Sequence, residues 1–370
     1  SWLPQIGVYG QGTIQNAVPS FPEDLSNVLA GMGTDMSGLG KLQYKAGLDI
    51  SQTIWDGGVS EACREMAETA FMEQTAAIDV QLYAIRERVE SLFFGIILIE
   101  HQIKQTEQTR TLLSNSLEML RSMKTNGTAM QSDVDMVEAQ LLTVGQKIIQ
   151  ADGQLQNYRR LLGIYTGMDM TGEELMKPSP SMPGDLTSGR PELSLFSARM
   201  RSNEARLGNI RSSVMPKIGF FAQAYYGYPG FDYFKSMMNR DLSVNLLAGV
   251  KISWNIGSFY TKKNDERKVR LANEEISTDR DVFMFNTHLQ IQSQMAHISE
   301  LENIMKEDSR IVDLRTNVRR AAESQLENGV IDATALLAKI TDENLARLAS
   351  SYHEIQLIQS ICHLKYILNR

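Results

Sequence analysis

Residues 58–127 read GVSEACREMAETAFMEQTAAIDVQLYAIRERVESLFFGIILIEHQIKQTEQTRTLLSNSLEMLRSMKTNG, about seventy residues without a proline and with only Gly95 inside. Residues 257–329 repeat the pattern, GSFYTKKNDERKVRLANEEISTDRDVFMFNTHLQIQSQMAHISELENIMKEDSRIVDLRTNVRRAAESQLENG, with no glycine or proline between the two ends. All nine prolines lie outside both stretches. Proline costs a helix interior roughly 3 kcal/mol, so this segregation predicts two very long helices. At 1.5 Å per residue each is about 100 Å long. Helices of that length need neighbours along them, because helix stability comes mainly from packing.

The two stretches are copies in spacing. Gly47-Leu48-Asp49-Ile50-Ser51 reappears as Gly249-Val250-Lys251-Ile252-Ser253, and Asn126-Gly127 as Asn328-Gly329, both at an offset of 202. Internal repeats decide architecture, and this chain divides into 1–167, a linker at 168–190, and 191–370. The linker carries three prolines among Ser, Gly and Thr. Gly127 suits a left-handed helix cap, and Ser132-Asp133 opens a return helix to about Tyr165. A second return helix follows Asn328-Gly329 and runs to about Leu368. Pro191 to about Val214 reads as a helix with no counterpart before the first half. The internal symmetry therefore predicts a helix of roughly 25 residues upstream of Ser1.

Each half also carries two alternating segments. Leu42, Tyr44, Ala46, Leu48, Ile50 and Ile54 share one face against Lys41, Gln43, Lys45, Asp49, Ser51 and Thr53. Residues 217–226 and 243–256 alternate in the same way and residues 1–15 more loosely, whereas 16–40 reads as a loop. Period two means strands with one apolar and one polar face. A soluble sheet lying on a core gives the same alternation, but the remaining segments are long helices and loops, which leave nothing to cover the apolar face. Strands of 10–15 residues also suit a tilted crossing of a bilayer. Four strands do not close a barrel, and lipid does not tolerate open edges, so several chains must contribute. Two would give eight strands and a filled interior; three would give twelve and a channel.

Composition narrows the partners. The net charge of −7 over 370 residues argues against nucleic acid. No run of about 20 apolar residues marks a transmembrane helix, and no signal peptide opens the chain. Cys63 and Cys362 lie at heights along their hairpins that differ by about 45 Å, so no disulfide joins them. His101, His288, His297 and His353 show no metal-ligand spacing, and no catalytic or nucleotide-binding motif stands in its required context. The chain reads as a non-enzyme without cofactor or metal.

The arrangement resembles the TolC-like outer-membrane efflux protein family. The residues that carry the resemblance are Leu3-Pro4-Gln5-Ile6-Gly7, the strand exit Ile50-Ser51-Gln52-Thr53-Ile54-Trp55-Asp56-Gly57-Gly58, and the tip Gly127-Thr128-Ala129-Met130-Gln131-Ser132-Asp133-Val134. The resemblance covers essentially the whole chain. It implies an α+β membrane protein in which three chains share a β-barrel, four strands from each, continued by an α-barrel of long antiparallel hairpins. It implies a passive exit duct of tripartite efflux or type I secretion, in the outer membrane of a Gram-negative bacterium with a long periplasmic extension. The implied partners are two further copies of the chain, a periplasmic adaptor, an inner-membrane pump and outer-membrane lipid. The competing expectation is a soluble or periplasmic coiled-coil adaptor or tether, which explains the helices but not the strand pairs.

Several site residues follow from the strand pattern and the resemblance together. Leu48, Ile50, Val250 and Ile252 are expected to face lipid, and Asp49, Ser51, Lys251 and Ser253 the lumen. Tyr225, Tyr226, Tyr228, Trp254 and Trp55 are candidates for an interfacial belt. Asn126, Gly127, Asn328 and Gly329 are turn residues by chemistry, and the resemblance makes them adaptor-contacting tips. It also places a gate at Asp133, although a carboxylate there is favoured by the helix dipole in any case. At the second tip this chain has Leu326 and Ile331 where the family's best-studied members have tyrosine and arginine, and Ala335 and Ala338 where they have acids. An apolar gate of Leu326 and Ile331 is therefore expected, assisted by Asp133, with Asp332 standing in for part of the acidic ring or simply capping its helix.

Overall fold

The computed structural model describes residues 3–31, 33, 38–172 and 175–370. The long helices form where the proline-free stretches lie: α2 spans Val59–Thr125 and α6 spans Ser258–Glu327. Their return helices are α3, Gln131–Thr166, and α7, Ala333–Leu368. Helix α4, Pro191–Ser213, begins on its proline, a residue whose fixed φ suits the first helical position. Two short helices arise inside segments that read as loops: α1, Glu23–Gly31, and α5, Tyr233–Met238. Helix α5 is capped by Asp232, whose carboxylate accepts from Lys235 N at 3.0 Å.

The chain separates into two compact units that cut across the sequence halves. Residues 1–74 and 197–277 form one, and residues 75–196 and 278–370 the other. The first unit holds a four-stranded antiparallel sheet in the order β1-β2-β3-β4, with β1 Gln5–Ile14, β2 Leu42–Trp55, β3 Lys217–Tyr228 and β4 Ser243–Ser253. Its register brings apolar residues into rows across all four strands. One row is Ile6, Ile50, Ala222 and Ala248; the next is Val8, Leu48, Ala224 and Leu246. Gly47 is required for the close approach of β2 and β3, since a Cβ there would lie 2.4 Å from Ala224 O.

One detail of the face assignment is corrected. Strict alternation puts Ile54 on the apolar face beside Ile50. A bulge between Thr53 and Trp55 instead sets Trp55 opposite Ile218, since the extra residue of a bulge reverses the alternation beyond it. At this exit Asp56 accepts from Gly58 N at 3.0 Å and Ser60 N at 2.7 Å. Gly57 and Gly58 supply the positive φ values, 74° and 89°, that turn strand into helix.

The second unit is a helical assembly with several apolar clusters. The largest joins both hairpins near their turns: Leu113, Leu117 and Leu120 with Val134 and Val137 from the first, and Ala322, Leu326, Leu336 and Ile340 from the second. Another packs Tyr83 with Ile291, Ile298, Leu364 and Leu368. A third sets Ile96 and Ile99 of α2 against Leu155 and Leu162 of α3.

Candidate functional site

Three surfaces are candidates for function: the two faces of the sheet and the hairpin tips. The apolar face of the sheet is bare. Val8 is 82% exposed, Val244 79% and Leu246 72%. Leu48, Ile50, Val250 and Ile252 lie together on this face by register. Strands β1 and β4 each have a partner strand on one side only among the described residues. A bare apolar face with two open edges is a structure that water penalises on one count and lipid on the other.

The opposite face carries a polar network. Gln223 Nε2 donates to Tyr9 OH at 3.0 Å and to Asp49 Oδ1 at 2.8 Å. Lys45 Nζ stands 5.4 Å from the centre of the Tyr225 ring and 5.9 Å from that of Tyr9. Asp49, Ser51, Lys251 and Ser253 belong to this face by register. Polar groups satisfied by one another and by water are what a wetted lumen requires.

The aromatic candidates divide. Tyr226 and Trp55 are exposed on the apolar face, whereas Trp254, half-exposed beyond the end of β4, donates its indole N–H to Val214 O at 2.9 Å. Tyr225 belongs to the polar face, where it packs edge-on against Phe231 and donates to Pro229 O. Tyr228 is buried, and its hydroxyl accepts from Gly40 N at 2.7 Å. The sequence pattern groups these tyrosines; the loops at Gly40 and Pro229 separate them.

The tips have the geometry their glycines predict. Gly127 and Gly329 adopt φ of 75° and 67°. Thr128 N donates to Met123 O at 2.9 Å, and Val330 N to Gln325 O at 2.8 Å. These are the same Schellman closures at the same offset of 202. Asp133 accepts from Met130 N at 2.9 Å, and Asp332 from Ala335 N at 2.8 Å, so both carboxylates hold helix N-termini. Leu326 is 3% exposed, with Ile331 packed against the same cluster. Leu120, Met123, Met130, Asp133, Leu326 and Val330 are among the residues around a cavity of about 450 Å³ between the two tips. Met130 and Val330, exposed at 73% and 69%, are the large apolar side chains left bare there.

Two charged sites that packing withdraws from water, one of them only in part, escaped the sequence pattern. Between α6 and α7, Glu343 accepts from Arg319, from Thr316 at 2.9 Å and from Arg347 at 2.9 Å, while Arg319 also pairs with Glu323. Burial pushes the Glu343 carboxyl up, but the bonds from Arg347, Arg319 and Thr316 outweigh it and hold the carboxyl below its usual range. The only signal in the sequence is the 3–4 spacing of Thr316, Arg319 and Glu323, which ordinary surface pairs share.

On α2, Glu90 has a buried oxygen, Oε1, with no hydrogen-bond partner. Burial, with the Glu87 charge adding and Arg86 opposing, pushes its carboxyl up to about 7. A carboxyl raised on folding stabilises below its unfolded value, near 4.3, and that contribution is lost as the pH rises through about 7. Glu90→Gln is therefore expected to raise the melting temperature at pH 8 and leave it nearly unchanged at pH 5. Scanning calorimetry at the two values checks this.

Comparison with known proteins agrees with this geometry. Residues 1–167 match the family model described as outer membrane efflux protein. No curated protein matches the sequence. Among solved structures, the outer membrane protein VceC from Vibrio cholerae is similar at 12% identity and TM-score 0.71, over 99% of this chain and 87% of that one. The Campylobacter jejuni CmeC outer membrane channel matches at 11% identity and TM-score 0.69, over 99% and 78%. The open state of the Neisseria gonorrhoeae MtrE outer membrane channel matches at 13% and 0.71, over 99% and 80%. At these identities the likeness establishes the fold, a mostly helical chain with a four-stranded sheet as in outer-membrane efflux channels.

Proposed function

Because this chain resembles the TolC-like outer-membrane efflux proteins over residues 1–167 in sequence and over nearly its whole length in fold, we propose that it is a passive exit duct of tripartite efflux or type I secretion. It acts as a homotrimer in the outer membrane of a Gram-negative bacterium. The observation that carries the reading is the bare apolar face with open edges at β1 and β4. Joining β4 of one copy to β1 of the next, three times, removes every edge and gives twelve strands. Leu48, Ile50, Val250 and Ile252 then meet lipid, and Lys45, Asp49 and Lys251 meet water. A soluble adaptor or tether leaves that face without a solvent.

The helices support the same assembly. Leu142 and Ile149 of α3 are one heptad apart and exposed, as are Ile311, Leu314 and Val318 of α6 at 3–4 spacing. These are seams of the kind that pack against a neighbouring helix. The detergent-corrected mass is expected to be three times the 41.5 kDa chain. A stable monomer or dimer would overturn the model.

The tips are the proposed gate and the docking point for an adaptor at Asn126, Gly127, Asn328 and Gly329, as the family resemblance implies. The cluster around Leu326 and Ile331 supports an apolar closure that excludes water and ions, with Asp133 and Asp332 fixing the turns. An adaptor opens it only by binding the open state better. Leu326→Ser and Ile331→Ser are each expected to raise the resting single-channel conductance, while salt alone leaves it low after correction for bulk conductivity. A wide opening by Asp133→Ala, with no effect of the two serine variants, would instead require a polar latch.

A further inference from the structure

Between α2 and α7, a groove of about 470 Å³ is open to solvent and mainly apolar. That volume lies within the range of about 300–1,000 Å³ typical of small-molecule sites. Leu82, Ile85, Val89 and Phe93 form one wall at helical spacing, and Phe94 and Pro178 line it too. The groove is basic at one end only. Arg86, Lys365 and Arg370 gather where α7 ends, whereas Phe93, Phe94 and Pro178 carry no charge. Arg86 donates to the neutral Asn369 at 3.0 Å, and Arg370 is paired with Asp185. Lys365 makes no ion pair with any described residue. Neither Arg86 nor Lys365 is held in an ion pair with a described residue, and the one carboxyl among the groove's lining residues is that of Glu90, which Arg86 opposes through space.

We propose that this groove binds a single-chain anionic amphiphile as a monomer, its tail along Val89, Phe93 and Pro178 and its headgroup between Lys365 and Arg86. A volume of this size suits one tail rather than a two-chain lipid. The groove is open to solvent, so in this proposal the ligand enters from the aqueous phase. The groove is read from the residues that line it alone, while its test in lipid nanodiscs rests on the membrane reading proposed above.

Glu90 tunes the site. Its carboxyl lines the groove, and its value of about 7 leaves it largely protonated in mild acid and charged above neutrality. The groups facing it are Arg86 and Glu87 on α2 and His297 on α6. From α7 come Cys362, His363, Lys365 and Tyr366, with Arg370 just beyond. Ionised Glu90 opposes an anionic ligand, so binding weakens as the pH rises from 6 to 8.

Cys362 lines the groove and Cys63, exposed, is the only other cysteine. The test uses the full chain with Cys63→Ser in lipid nanodiscs. Maleimide labelling of Cys362 is measured with and without decane-1-sulfonate below its micellar concentration, as a rate ratio at each pH. The sulfonate is expected to slow labelling saturably. Lys365→Gln should raise its half-protecting concentration about tenfold, the loss of one charge-assisted contact. Decyltrimethylammonium and decyl maltoside should protect more weakly by at least about the same factor. Glu90→Gln should remove the pH dependence. Equal protection by all three amphiphiles would reduce the groove to an unselective apolar surface and overturn the proposal. So would the absence of protection, or a Cys362 unreactive before any amphiphile is added because a neighbouring copy covers it.

Discussion

Ile50→Arg is expected to abolish assembly of the proposed outer-membrane trimer, while Ser51→Arg, one residue on, leaves assembly intact. Ile50 sits in the row Ile6, Ile50, Ala222, Ala248, on the face that no element among the described residues covers. An arginine on a lipid face costs about 2–4 kcal/mol near the bilayer midplane, and lumen positions tolerate charge. In the proposed trimer the cost recurs in every copy. Ser51 lies between Gln5 and Phe221 on the opposite face, where an arginine remains hydrated. Heat-resistant trimer in the membrane fraction is the measurement. Equal loss in both variants would reverse or erase the assignment of faces.

The second large effect lies in the second hairpin. Arg319→Leu is expected to destabilise the α6–α7 pairing by about 3 kcal/mol, because removing one partner of a buried ion pair leaves the other carrying an uncompensated charge. Arg347 and Thr316 remain beside Glu343, which keeps the loss at the lower end of what such breaks cost. The double variant Arg319→Leu, Glu343→Leu should recover most of it, since well-packed apolar residues often replace buried ion pairs without loss. The first hairpin already uses that solution: 202 residues earlier the same positions are Leu117 and Leu141, buried in or packed against the tip cluster. Hydrogen exchange along α6 and α7 reads both effects. The carboxyl of Glu343 is held low on folding, so its contribution is present above the unfolded value near 4.3 and fades as pH falls below it. Arg319→Leu, Glu343→Leu should show less of that acid sensitivity. A double variant as unstable as the single one would mean that the network, rather than the unpaired charge, holds the hairpin.

The sequence by itself determined the elements and their repetition. Proline exclusion set α2 and α6, period-two alternation set the strands, and Asn126-Gly127 and Asn328-Gly329 set the turns, because each signal is local and depends on backbone energetics that a residue carries with it. The same reasoning failed where the outcome depends on residues distant in the chain. Tyr225 and Tyr228 follow the strand alternation as Tyr226 does, yet loops at Pro229 and Gly40 bury both. The sequence names Leu326 as an apolar tip residue, but that Leu120, Leu336 and their neighbours enclose it is decided by packing. Thr316, Arg319 and Glu323 resemble a surface charge pattern until α7 brings Glu343 between them. Glu90 is one more acid on a charged helix until α7 withdraws its oxygen from water. Spacing along one helix states which residues share a face. Whether that face meets water, lipid or a second helix is decided only by tertiary packing, and burial sets both the cost of a charge and the value of an apolar side chain.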